Sequence, residues 1–221
     1  MLYAIVVLLL GAAYLLGSFP TGYLAGKILQ GIDIRDHGSG STGATNVLRT
    51  LGKVPGSLVL LADVGKGWAA VSLVAAVYYF QPQIFPVAWQ PLLVIGTATM
   101  AILGHSKSVW LGFQGGKSVA ASLGVLLAMH WPVALLTLGT FGMSIAITRI
   151  VSISSIVGAI AVTLFMFAFQ QPLAYEIFTF IGGAYVIWLH RANIERLLAG
   201  TEPQIGQAKS DSPKSEQVTP S

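Results

Sequence analysis

Apolar residues dominate long stretches of this chain, and short polar stretches separate them. A helix that crosses a bilayer needs about 20 mostly apolar residues. The pattern predicts seven such helices, at residues 2–29, 56–80, 87–105, 117–130, 132–148, 152–169 and 172–190. The run from Ser118 to Thr148 is too long for one crossing, since it would form about 46 Å of helix. We divide it at His130-Trp131-Pro132, because proline disfavours a helical conformation at the residue before it.

Composition supports a bilayer as the solvent of this chain. Hydrophobic residues make up 54% of the sequence and charged residues 9%, and the mean hydropathy is +0.74. Soluble domains carry about 25% charged residues, so we predict an all-α membrane protein. The first apolar segment has no basic residues before it and no cleavage pattern after it, which favours a retained span over a signal peptide. The chain contains no cysteine, so we expect no disulfide, thiolate nucleophile or thiolate metal site.

The positive charges predict the orientation. The net charge is +4, a value that could indicate nucleic-acid binding, but the charges follow the predicted spans. The loops near 81–86, 130–132 and 170–172 contain no Lys or Arg, whereas alternate loops and the residues after 190 carry most of them. Basic loops stay on the cytoplasmic side. We therefore expect the N-terminus outside, the C-terminus in the cytoplasm and no nucleic-acid partner.

The sequence divides into one membrane domain and a polar tail. Residues 1–200 hold every predicted span, and residues 201–221 are polar and lack aromatic side chains. Such a composition favours disorder. We expect a cytoplasmic tail that the chemistry does not need.

Four polar stretches fall on the predicted cytoplasmic side, at residues 38–49, 112–118, 148–155 and 190–200. They are distant in sequence, yet the predicted topology brings all of them to one membrane surface. This convergence indicates a functional site more strongly than any single stretch does.

The first stretch, GSGSTGATNVLR, suits an anion. Glycine backbone can approach a ligand closely, hydroxyl and amide groups can donate hydrogen bonds, and Arg49 can bind a phosphate through two nitrogens. The candidate binding residues are Gly38, Ser39, Gly40, Ser41, Thr42, Gly43, Asn46 and Arg49. The alternative is a flexible interfacial loop with a helix cap.

The other three stretches supply further candidates. Lys117 follows two glycines at a predicted helix start, where a lysine opposes the helix dipole unless an anion lies between them. His190 can act as an acid or base near neutral pH. The candidates here are Gly115, Gly116, Lys117, Ser152, Ser154, Ser155, His190 and Asn193. The alternatives are a snorkelling lysine, serine helix caps and a charged helix end. Asp63 and Lys66, three residues apart within one span, are expected to pair and to face the site.

These stretches, together with LLGSFPTGYLAGKI, LADVGKG, LGHSKSVWLGFQGGKSVA and HRANIERLLAGTE, resemble the bacterial acyl-phosphate:glycerol-3-phosphate acyltransferases. The resemblance covers the chain up to about residue 202 and implies a seven-span enzyme of phospholipid synthesis in the bacterial inner membrane. Three departures occur: Ser41 stands where the family usually has asparagine, Ser118 where it has glycine, and GHSKSVW lacks the usual proline.

The resemblance implies a reaction and roles. An acyl group passes from acyl phosphate to the 1-hydroxyl of sn-glycerol 3-phosphate, giving lysophosphatidic acid and phosphate, without cofactor or metal. Residues 38–43 and Arg49 would hold the acyl phosphate, while Lys117, a serine of 152–155, His190 and Asn193 would hold glycerol 3-phosphate. Either His190 or a substrate phosphate would accept the proton. The alternative is a membrane transporter of an organic phosphate anion, although transporter sites usually lie near the bilayer midplane.

Overall fold

A computed structural model of the chain describes residues 2–205, which form α-helices joined by short loops, with no strand among them. The helices are α1 (Leu2–Ser18), α2 (Thr21–Gln30), α3 (Ala44–Leu51), α4 (Lys53–Phe80), α5 (Gln90–Ser106), α6 (Val119–Thr148), α7 (Val151–Ala168), α8 (Leu173–Leu189) and α9 (Arg191–Leu198). The predicted all-helical class is confirmed for these residues.

Glycines bring the long helices into close contact. Gly17 of α1 packs against the backbone of Ala101 in α5, and Gly67 of α4 packs against the backbone of Ala121 in α6. Small residues at such crossings let helix backbones approach, as in other membrane helix bundles. These contacts hold α1 against α5 and α4 against α6.

Helix α6 turns back on itself at His130. The backbone of His130 is extended, with φ −158° and ψ 89°, and Pro132 follows it inside the helix. The residues that flank the two ends of α6, Lys117 and Ser152, both reach one hydrogen-bonded group near the C-terminal segment. A straight helix of this length would hold them about 45 Å apart. The break in α6 therefore falls at the predicted division, and two separate crossings on either side of it stay a prediction.

By length and composition, fewer helices qualify as membrane crossings than the seven that we predicted. Within residues 2–205, five helices are long and apolar enough to cross a bilayer, or six if α8 and α9 form one broken span bent by 57°. The first of them, residues 2–30, comprises α1 and α2, which are interrupted at Phe19 and Pro20. Both arms of α6 belong to one of these five helices, which accounts for part of the difference from seven.

The beginning of the predicted tail is ordered. Gly200 ends α9 in a left-handed conformation, with φ +68°, and the chain then folds back. Glu202 is buried, and the Ile205 amide donates to the Arg149 carbonyl at 2.8 Å. The prediction of disorder from residue 201 is wrong for residues 201–205; its remainder, residues 206–221, lies outside the described residues.

Candidate active site

All four polar stretches line one cavity of about 290 Å³. Its wall combines polar residues of these stretches with apolar side chains of α4, α6, α7 and α8, among them Leu60, Leu123, Leu126, Val162 and Phe178. Most predicted site residues lie on its surface: Ser39, Ser41, Gly43, Asn46, Arg49, Lys117, Ser152, Ser155, His190 and Asn193. The expected convergence of the four stretches is thus observed.

Six predicted site residues do not line this cavity: Gly38, Gly40, Thr42, Gly115, Gly116 and Ser154. Gly38 and Gly40 adopt positive φ values, of 61° and 69°, and shape the loop that precedes α3. Thr42 is buried and lines a smaller cavity beside Thr21 and Lys66. Ser154 is completely buried, and its hydroxyl donates to the Ile150 carbonyl at 3.0 Å. These six residues therefore lie outside the cavity lining, and their contact with substrate stays a prediction.

Asn46 organises the first loop. Its side-chain amide donates to the carbonyls of Ile34, His37 and Ser41 at 2.8–3.0 Å, and its Oδ1 accepts from the Ser39 amide at 2.8 Å. Since its hydrogen-bonding groups are occupied and the residue is 1% exposed, Asn46 serves the shape of the loop.

The first turn of α3 lines the cavity. The amides of Ser39, Gly40 and Gly43 donate within the loop, to Asn46, His37 and Ser41. Ala44 and Thr45 line the cavity at the first turn of α3, where amides have no acceptor within their own helix. The positive end of the helix and Arg49 therefore form the anion-attracting part of this stretch.

A hydrogen-bonded network joins the other three stretches. The Lys117 ammonium donates to Asn193 Oδ1, and Asn193 Nδ2 donates to Glu202 Oε1 at 2.6 Å. Ser152 Oγ donates to the same carboxylate oxygen at 2.8 Å, and Arg196 Nε donates to the other at 2.7 Å. Glu202 is the hub of this network.

The network sets the charge of its members. Burial lowers the pKa of Lys117, the nearby guanidinium of Arg196 lowers it further and Glu202 raises it, so that the pKa of Lys117 is about 8. Burial alone would raise the pKa of Glu202, but its three hydrogen bonds outweigh that effect and hold the pKa below its ordinary value. Near neutral pH the network therefore contains an ionised Glu202 carboxylate and a Lys117 ammonium that loses its proton at a lower pH than an ordinary lysine does.

Sequence reasoning missed Glu202 because the polar composition after residue 200 indicated a tail. The sequence contained one signal that the chain returns after α9. A glycine directly after a helix commonly reverses the chain, and Gly200 directs Glu202 back beneath Ser152 and Asn193.

His190 is oriented by its own helix. The residue is 3% exposed, and its Nδ1 lies 2.8 Å from the Val186 carbonyl. A carbonyl only accepts hydrogen bonds, so Nδ1 carries the proton and Nε2 is the basic nitrogen of the neutral ring. This geometry suits a residue that orients a hydroxyl or accepts its proton.

The Asp63–Lys66 pair forms as predicted, with Asp63 Oδ1 2.8 Å from Lys66 Nζ. Asp63 lines the main cavity together with His105, whereas Lys66 donates to the Phe19 carbonyl on the other side. Only the acidic member of the pair therefore faces the site.

Comparison with known proteins agrees with this architecture. A family model described as glycerol-3-phosphate acyltransferase matches residues 7–200. The chain is 61% identical over 202 residues to a glycerol-3-phosphate acyltransferase of Trichormus variabilis, covering 88% of this chain and 89% of the relative. It is 58% identical over 209 residues to the corresponding enzyme of Acaryochloris marina, covering 91% and 92%.

Solved structures show the same fold. The glycerol 3-phosphate form of PlsY, an integral membrane glycerol 3-phosphate acyltransferase, superposes with a TM-score of 0.81 at 39% identity, covering 91% of this chain and 96% of PlsY. The lysophosphatidic acid form of PlsY gives a TM-score of 0.78 at 38% identity.

Proposed function

This chain belongs to the glycerol-3-phosphate acyltransferase family of multi-pass membrane enzymes, and from that premise we propose its donor, product and mechanism. The donor is acyl phosphate, and the product is lysophosphatidic acid. The 1-hydroxyl oxygen of sn-glycerol 3-phosphate attacks the acyl carbon directly, the bond from that carbon to the phosphate oxygen breaks, and inorganic phosphate leaves.

One observation carries this proposal: two cations, Arg49 and Lys117, line the same cavity as apolar side chains of α4, α6, α7 and α8. The reaction brings together two phosphate-bearing substrates, one of which has a long apolar tail. Two cationic positions and an apolar slot match those requirements. The phosphate of the mixed anhydride is a good leaving group, so the absence of cysteine from the sequence is no obstacle to direct transfer.

The acyl phosphate would lie at the first stretch. Arg49 and the first-turn amides of Ala44 and Thr45 would contact its phosphate, with the hydroxyls of Ser39 and Ser41 beside them. This assignment moves the backbone contacts from residues 38–43 to the start of α3.

Glycerol 3-phosphate would lie at the network. Lys117 would bind its phosphate, Ser152 and Asn193 would hold its polar groups, and His190 Nε2 would face the attacking hydroxyl. The hydroxyl proton passes either to Nε2 or to a phosphate oxygen of the donor. Glu202 holds Ser152 and Asn193 in place rather than reacting.

We also propose seven crossings, with the N-terminus outside and the site on the cytoplasmic side of a bacterial inner membrane. The distribution of Lys and Arg supports this orientation, and the return of α6 at His130 supports counting its two arms separately.

The test supplies purified protein with acyl phosphate and labelled glycerol 3-phosphate. We expect labelled lysophosphatidic acid, and Arg49→Ala should lower kcat/KM by about 100-fold because it removes a fixed positive charge from the leaving phosphate. Lys53→Ala is the matched control, since Lys53 is exposed and outside the cavity. Phosphate release without lysophosphatidic acid would overturn the proposal, and uptake of glycerol 3-phosphate into sealed vesicles without donor would indicate a transporter instead.

A further inference from the structure

The strap that carries Lys117 into the site, residues 112–118, lies against the end of α5. The Gly116 amide donates to the His105 carbonyl at 3.1 Å, and Ser118 Oγ donates to the Ile102 carbonyl at 3.0 Å. Lys117 stands between these two anchors. Its backbone position is therefore set by one turn of α5.

Both glycines of the strap are in close contact with His105, but with different parts of it. A Cβ built on Gly116 would overlap Nε2 of the imidazole ring, whereas a Cβ built on Gly115 would overlap the His105 carbonyl oxygen. Neither glycine has a positive φ, so backbone conformation does not require glycine here. Glycine is required at both positions because His105 approaches them so closely.

The His105 ring lies between Asp63 and the strap, at the edge of the main cavity. It is 6% exposed, and its Nδ1 lies 3.6 Å from Asp63 Oδ1, which also accepts from Thr21 Oγ1 at 2.6 Å. Protein interiors are packed tightly enough that a displaced ring must displace its neighbours. The ring thus forms a fixed surface on which Gly116 rests.

We propose that His105 is a positioning residue: its imidazole, held beside Asp63, sets the path of Gly115 and Gly116 and thereby the position of the Lys117 ammonium. The inference rests on the proposed role of Lys117 in binding glycerol 3-phosphate. It assigns His105 a function through shape, in addition to its place in the wall of the main cavity.

The experiment measures the KM for glycerol 3-phosphate in single and double variants. Gly116→Ala should raise this KM about tenfold, but less than about twofold when His105→Ala has already removed the ring, because residues in contact couple energetically. Gly115→Ala is the matched control. The added methyl group would overlap the His105 carbonyl oxygen, so Gly115→Ala should change the KM equally with and without the His105 side chain.

Two further measurements separate positioning from folding. The KM for acyl phosphate should change little in each variant, and Gly65→Ala, at an exposed glycine with no neighbour within 4 Å, should behave as the unchanged protein. If Gly116→Ala alone does not fold, recovery of a folded protein with His105→Ala supports the inference, and failure in both backgrounds contradicts it.

The outcomes are distinguishable from those for the proposed function. No lysophosphatidic acid from the unchanged protein overturns the proposed function. Normal turnover by that protein, with equal KM effects of Gly116→Ala in both backgrounds, overturns the role of His105 alone.

Discussion

Ser118 shows how one side chain accommodates an unfavourable backbone conformation. The residue adopts φ +61° immediately before α6, a left-handed conformation that costs most L-residues about 1–2 kcal/mol. The resemblance described above places glycine at this position. The Ser118 hydroxyl donates a hydrogen bond to the Ile102 carbonyl. This bond offsets part of the conformational cost, since a hydrogen bond contributes about 1 kcal/mol.

Two substitutions of Ser118 should therefore change the stability of the protein by different amounts. Ser118→Gly loses the hydrogen bond but relieves the backbone, so the two changes nearly cancel. Ser118→Ala loses the bond and keeps the strained backbone, so it should be less stable than Ser118→Gly by about 1–2 kcal/mol. Thermal unfolding in detergent measures the difference. Equal stability of the two variants would show that the backbone is not strained.

At this scale the sequence predicted well the basic side chains that line the cavity, and it missed the acidic Glu202. Arg49, Lys117 and His190 are conspicuous in an apolar chain, and all of them line the cavity. The serines could not be resolved, because neighbouring positions on a helix point in directions about 100° apart. Only the structure shows that Ser155 lines the cavity while Ser154 faces away.

At the scale of elements, a proline close to a polar residue predicted where a helix breaks, whereas composition alone did not predict such breaks. His130-Trp131-Pro132 predicted the reversal within α6, since proline interrupts helical hydrogen bonding. The apolar run 2–29 concealed the break at Phe19 and Pro20 because hydropathy does not register backbone geometry. Polar composition likewise concealed the return of residues 201–205, which a few specific hydrogen bonds determine.

The returning segment predicts a sharp boundary for truncation. A chain ending after residue 205 keeps Glu202 and its three partners, and we expect activity close to that of the full chain. A chain ending after residue 200 leaves buried polar groups unsatisfied, at about 1–3 kcal/mol for each, and should lose nearly all turnover. Acyl transfer by both truncated proteins, normalised to the folded fraction, decides the matter. Substantial activity without residues 201–205 would show that the carboxylate is not needed.

At the scale of the whole molecule, the charge pattern predicts an orientation that single thiols can report. The sequence contains no cysteine, so each introduced cysteine is the only thiol present. Gln83→Cys lies in a loop without Lys or Arg, and Asp36→Cys lies in a basic loop at the site. A membrane-impermeant maleimide added to intact cells should label the first variant and spare the second until the membrane is opened, because basic loops remain inside. The reverse pattern would invert the proposed topology.

The position of Glu202 also fixes when the enzyme becomes competent during its biosynthesis. Chains emerge from the ribosome N-terminal end first, and by residue 200 every apolar helix described above has been made. Yet Ser152, Asn193 and Arg196 receive their common partner only when residue 202 follows. A chain made only as far as residue 200 therefore has every apolar helix but lacks the carboxylate that these three side chains share, so we expect acyl transfer to begin only once residue 202 has joined the folded bundle.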